Sequence, residues 1–128
     1  MEDMLKLALD FTGKDSVFVS NTYRWHTGLE TLESLSIYRN PPEELATGKV
    51  KQKIDTMQGA FEGGATGNHS QIALRNRLRK EVTAMFRRIV AFLQSIAVAA
   101  DIPALIQAGF LVHGRSGGRR KLAVSLAK

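Results

Sequence analysis

The residues of this sequence with the clearest chemical potential are cations. Arg77, Lys80, Arg87 and Arg88 fall within RNRLRKEVTAMFRRIV at 75–90, and Arg119, Arg120 and Lys121 follow in GRSGGRRK at 114–121. At about 100° per residue the first four project from the helical arc opposite an apolar stripe, forming a positive outer ridge. Fixed cations in such a row can neutralise phosphates and give salt-sensitive, sequence-independent binding to nucleic acid. The charge is concentrated: residues 1–70 hold seven Lys/Arg against ten Asp/Glu, and residues 71–128 hold eleven against two, for a net charge of +6. The plainer reading is a solvated helix face whose field the acidic half offsets, within the fold or across an oligomer. No known DNA- or RNA-binding motif accompanies the cations, and no ladder of aromatics offers base stacking.

Other chemistries find little to stand on. The chain has no cysteine, which excludes disulfides, thiolate zinc sites and a cysteine nucleophile. His26, His69 and His113 lie in three separate segments without the spacing that puts two ligands on one helical face, so no metal is expected. His26, beside Trp25 at an expected helix end, reads as a dipole-stabilising residue, and His69 as an exposed helix-start residue. GFLVHGRS at 109–116 fits the phosphate-loop template with arginine in place of lysine, but a helix end precedes it where a buried strand is required. EGGATGN at 62–68 is a glycine-rich approach to a helix start, which reads as a turn before it reads as an anion site. No serine sits in a nucleophile elbow, and Glu43, Glu44 and Asp55 lie on a helix surface with nothing to raise a pKa. The expectation is a non-enzymatic protein without cofactor or metal.

The elements that would carry these residues are mainly helical. In MLKLALDF, alternation of Leu5, Leu7, Leu9 and Phe11 suggests a short strand or extended arm. Asp15 then caps a helix with Phe18, Thr22 and Trp25 on one face and Gly28 at its end; alternatively, VFV at 17–19 is a strand and the first 23 residues are a hairpin. Residues 28–40 read as a connection, with Leu29, Leu32, Leu35 and Ile37 tucked into the core. Asn40-Pro-Pro-Glu combines a cap, a first-turn proline and a carboxylate, starting a second helix with core stripe Ala46, Val50, Ile54, Met57 and Phe61, which stops at Gly63-Gly64. Asn68 and Gln71 form a capping box for the longest helix, of roughly 30 residues and about 45 Å, with stripe Leu74, Leu78, Val82, Met85, Ile89, Phe92, Leu93 and Ile96. Asp101–Ala108 form a short closing helix that ends in a Schellman-like turn at Gly109, with Phe110 folding back. The basic tail ends in alternating Leu122, Val124 and Leu126, positioned to pair with the N-terminal arm.

With 44% hydrophobic and 23% charged residues in 128, the chain is expected to form one soluble globular domain with a flexible basic tail from about 114. The run IVAFLQSIAVAADIPALIQAGFLVHG is of membrane length, but Asp101 and Pro103 at its centre mark a break between two helices. Glu2 and Asp3 stand where a secretory signal carries positive charge, which makes a cytoplasmic location the expectation. The implied architecture is a mainly all-α, up-and-down four-helix bundle with a long third helix and short extended arms at both ends.

The residues RNRLRKEV, FRRIVAFLQSIA and ADIPALIQAGF resemble a helical domain of bacterial hypothetical proteins, some of which carry fibronectin type III segments. In that family a long Arg- and Leu-rich helix is followed by a short one ending in a small residue, Gly and Phe, here Ala108, Gly109 and Phe110. The resemblance implies a first helix over residues 15–28, a turn at Ala65-Thr66-Gly67-Asn68 and a four-helix bundle of unknown activity. It brings no catalytic or binding residues. Residues 29–40 are more apolar than the pattern, and no fibronectin-like segment follows.

The leading functional expectation is therefore a protein-interaction or structural bundle, with a protein partner or a second copy of itself. The alternative is a nonspecific nucleic-acid-binding module acting through Arg77, Lys80, Arg87, Arg88, Arg119, Arg120 and Lys121. A small-molecule pocket inside the bundle is a third, weaker option.

Overall fold

The structure, a computed structural model, describes residues 6–64 and 69–113. Strand β1 (Lys6–Ala8) leads into helix α1 (Asp15–Ser34). A 3-10 turn at Glu43–Leu45 precedes α2 (Thr47–Gly64), and α3 (His69–Ile96) follows. A second 3-10 turn, Ala99–Asp101, leads into the short α4 (Ile102–Gln107), and β2 (Leu111–His113) pairs antiparallel with β1. Three-quarters of the described residues are helical, in an all-α four-helix arrangement with a two-stranded sheet beside it.

The spine is α3, 28 residues or roughly 42 Å long. It packs along α2, α1 packs on α2, and α4 closes against α1 while β1 lies on α3. The core joins the stripes: Phe18, Trp25, Leu29 and Leu32 from α1; Val50, Ile54 and Met57 from α2; Leu78, Val82, Phe86, Ile89 and Leu93 from α3. Leu7, Leu9, Leu105 and Phe110 seal it from the sheet and closing segment. Among the described residues no helix is long and apolar enough to cross a membrane. The apolar run after Arg88 is broken where α3 ends at Ile96.

Several expectations need correction. Residues 28–40 are not mainly a connection, because α1 continues six residues beyond Gly28. Gly28 is instead a contact point: a Cβ there would lie 2.3 Å from the Ala108 carbonyl oxygen, so only hydrogen lets α4 come so close. Helix α1 ends in a Schellman motif, with Ile37 N–H on the Leu32 carbonyl at 2.8 Å and Ser36 N–H on that of Glu33 at 3.0 Å. Ser36 holds the left-handed position at φ +62°, and Leu35 faces solvent, 55% exposed, while Ile37 folds in. The motif recurs after α4, where Phe110 N–H bonds the Leu105 carbonyl and Gly109 has φ +106°. Because serine is strained where glycine is at ease, Ser36→Gly should raise stability by about 0.5–1 kcal/mol, read as a higher melting midpoint.

Nor does Asn40 start α2. It adopts φ +53°, and the chain runs through an extended Pro42 and the 3-10 turn before α2 begins at Thr47. This detour drops Leu45 into the core, where its carbonyl accepts the Tyr38 hydroxyl. Asp15 is the first residue of α1 rather than its cap, Lys14 holding the cap position. Asp101 holds the cap position of α4 as expected, but its side chain makes no cap bond there and reaches back to accept the Val98 N–H at 3.0 Å. The expected capping residue Asn68 and the tail with Leu122, Val124 and Leu126 lie outside the described residues. Within those residues, β1 pairs with Leu111–His113.

Both tyrosines tie loops or helices together in their neutral form. Tyr23 donates to Asp55 Oδ1 at 2.6 Å, and burial first, then the Asp55 carboxylate, push its pKa up to about 12. Burial raises Tyr38 as well, with the Glu33 carboxylate adding to it. A folded pKa above the unfolded value means a contribution present in full below about pH 10 and lost as pH climbs towards the folded values. At about pH 10.5 the native protein should therefore show little tyrosinate absorbance, whereas the chain in denaturant shows both rings largely ionised.

Candidate functional site

The helical row Asn76, Lys80, Thr83 and Arg87 repeats at intervals of four, three and four, so all four side chains share one face of α3. With Arg79, Ala84 and Asp15 from the start of α1 they line an open groove of about 540 Å³. Arg79 is the fixed wall of that groove. Its guanidinium donates to Asp15 Oδ1 at 2.7 Å and to the carbonyls of Phe11 at 2.9 Å and Gly13 at 3.0 Å, and lies 4.3 Å from the Phe18 ring centroid. Arg75 Nε approaches the other Asp15 oxygen at 3.3 Å. The groove lining thus carries three cations, Arg79, Lys80 and Arg87, against the single carboxylate of Asp15, which is itself engaged by Arg75 and Arg79.

The four expected ridge residues sort into two kinds. Arg77, although largely exposed, lies 3.7 Å from Glu81 Oε2, and Glu81 also binds Lys53 Nζ at 2.7 Å. Arg88 donates to Glu44 in the first 3-10 turn. These partners are held as anions: the Lys53 bond lowers the Glu81 pKa, and the Arg88 bond lowers that of Glu44. Lys80 and Arg87 face the groove, and among the described residues no carboxylate stands within ion-pair distance of either. Arg119, Arg120 and Lys121 lie outside the described residues.

Two features of this face escaped the sequence reading. Arg79 was legible as another cation, but nothing local shows that it turns inward to hold the loop before α1. Phe11, distant in sequence, lies beneath Arg87, whose Cζ is 5.4 Å from its ring centroid. The recurrence of Asn, Lys, Thr and Arg at helical spacing was the available signal for the groove.

Two further titratable residues that could do chemistry, His26 and Asp55, are engaged structurally. His26 is not at a helix end. It is buried mid-way along α1, donating from Nε2 to the Thr47 carbonyl at 3.0 Å, with Glu30 4.0 Å from Nδ1. His69 opens α3 and His113 ends β2. Among the described residues no cluster of three His, Asp or Glu is placed to hold a metal ion. The Asp55 carboxyl is held below its ordinary pKa chiefly by the Tyr23 hydroxyl, the opposite of what a general acid requires. The arrangement is suited to reversible binding of an anion at the groove. Comparison of the chain with protein families, curated proteins and solved structures finds no match in any of the three.

Proposed function

We propose that the protein is a non-enzymatic binding module whose partner is a nucleic acid, held through its phosphates in the groove along α3. The observation that carries this reading is the pairing of the cations: Arg77 and Arg88 are engaged by carboxylates, whereas Lys80 and Arg87 face the same groove without one. Two cations seven residues apart on a helix stand roughly 10 Å apart along its axis, a spacing suited to a polyanion more than to a single small anion. A cytoplasmic setting belongs to the same proposal.

The test is fluorescence anisotropy with a labelled single strand, titrated at about 50 mM and about 200 mM salt. Lys80→Glu/Arg87→Glu should weaken binding at the lower salt at least tenfold and reduce the slope of log affinity against log salt by about 1.4, near 0.7 per lost phosphate contact. Arg77→Glu/Arg88→Glu should cost much less. Absence of binding by the unaltered chain, or loss only on reversing Arg119, Arg120 and Lys121, overturns the groove.

A protein partner, or a second copy of the chain, is the second reading. Val98, Ile106 and Leu111 are large exposed apolar side chains on the one segment that closes the bundle, and burying them would favour association. Light scattering that gives a multimer for the unaltered chain and a monomer for Ile106→Lys supports it; a monomer at every concentration removes self-association.

A further inference from the structure

Beside the basic groove lies a second depression of about 290 Å³ between β1 and α3, lined by Leu7, Ala8, Leu9, Phe11, Arg87 and Val90. Arg87 belongs to both walls. We propose that this apolar notch takes one unstacked nucleobase, so that the partner is a single strand whose backbone follows the groove and whose base is clamped beside Arg87. The inference rests on the phosphate-binding reading of the groove.

Three observations converge on that occupant. The notch is apolar apart from Arg87, and a base offers flat, polarisable faces that lose little on leaving water. Its charged member is a guanidinium lying over an aromatic ring, with Cζ 5.4 Å from the Phe11 centroid, and guanidinium planes and aromatic rings are the surfaces on which bases stack in single-strand recognition. Phe11 is also backed from within, its ring 5.6 Å from Trp25 in an edge-to-face arrangement at 84°, so the platform stands ready before a ligand arrives. Charge complementarity then selects the class of ligand. An apolar group entering here carries its connected anion into a groove with surplus positive charge, as a nucleotide within a strand does. A duplex keeps its base faces stacked inside and presents only phosphates, sugars and base edges, leaving the notch empty.

The experiment compares four probes with the full chain: a labelled oligothymidylate, a duplex of equal length, an abasic strand of equal length, and vesicles of phosphatidylserine and phosphatidylcholine. The single strand should bind about tenfold tighter than the abasic strand or the duplex. Phe11→Leu, which keeps apolar volume but removes the ring, and Val90→Glu, which places a carboxylate in the notch, should each remove most of that margin. Phe11→Leu should change affinity for the abasic strand by no more than about twofold, whereas Val90→Glu, whose carboxylate would lie beside Arg87, should lower that affinity as well, with circular dichroism confirming the fold of both. Equal affinity for the single and abasic strands overturns the base-binding notch and leaves the groove standing. Failure to bind any phosphate polymer overturns the groove as well. Binding to vesicles without binding to oligonucleotides overturns both in favour of lipid headgroups.

Discussion

Gly28→Ala should destabilise the protein by about 2 kcal/mol, while Gly59→Ala, the same change in another helix, should stabilise it by about 1 kcal/mol. Both glycines sit inside helices, where alanine is favoured by close to 1 kcal/mol. They differ in what a methyl group meets. Around Gly59 nothing lies within 4 Å, so only the propensity gain is felt. At Gly28 the new carbon would lie 2.3 Å from the Ala108 carbonyl oxygen and 2.7 Å from its Cα, both backbone atoms that no rotamer change can move. Relief requires α4 to shift, and α4 is anchored by the buried Leu105 and by Phe110 just beyond it. An overpacking penalty of about 3 kcal/mol exceeds the propensity gain and sets the sign. Ala108→Gly in the Gly28→Ala background should restore little, because the carbonyl and Cα remain. Denaturant midpoints for the single and double variants measure all of this. A stabilised Gly28→Ala would show that α1 and α4 are not in close approach.

That pair of glycines also explains which parts of the fold were legible. The stripes Val50, Ile54, Met57 and Leu78, Val82, Ile89, Leu93 follow from helical periodicity and form the observed core. Phe86 lies off the single row that runs through Met85, yet it is fully buried: the apolar arc of α3 is wider than one row, since α1, α2 and β1 all lean on that core. The end of α1 is not legible at Gly28, because glycine signals both a helix stop and a close approach, and residue type alone does not separate them. Here Gly28 serves the approach, while the real stop uses Ser36, which carries no such signal. Asn40-Pro-Pro-Glu has every local mark of a helix start, but the need to bury Leu45 and satisfy its carbonyl with Tyr38 moved the start to Thr47.

The site divides along the same line between local and tertiary information. That α3 has a basic face is periodicity; which of its cations face the groove without a carboxylate depends on partners far along the chain. Glu44 neutralises Arg88 from a turn 44 residues earlier, and Lys53 shares Glu81 with Arg77 from the neighbouring helix. Asp15 draws Arg75 and Arg79 to the start of α1. What remains facing the groove, Lys80 and Arg87, is the residue of that pairing, and no count of charge along the sequence would have isolated it.

Trp25→Ala should cost more than any other single change considered, about 4 kcal/mol. The indole is buried at the centre of three edge-to-face contacts, to Phe86 at 5.2 Å, Phe11 at 5.6 Å and Phe18 at 6.5 Å between ring centroids. Truncation leaves a cavity that those rings cannot all collapse into, because each belongs to a different wall. A domain of this size is stable by about 5–15 kcal/mol, so the variant should still fold at room temperature, with a much lower denaturant midpoint by circular dichroism and an unchanged slope. The informative step is to add Phe11→Leu. If Trp25 holds Phe11 in place, the two changes should be sub-additive by about 0.5–1.5 kcal/mol. Trp25→Ala should then also weaken binding of a single strand while sparing an abasic one, since Phe11 carries Arg87 on its outer face. Strict additivity would mean that Phe11 is set by other neighbours, and that the notch beside Arg87 owes nothing to the aromatic core beneath it.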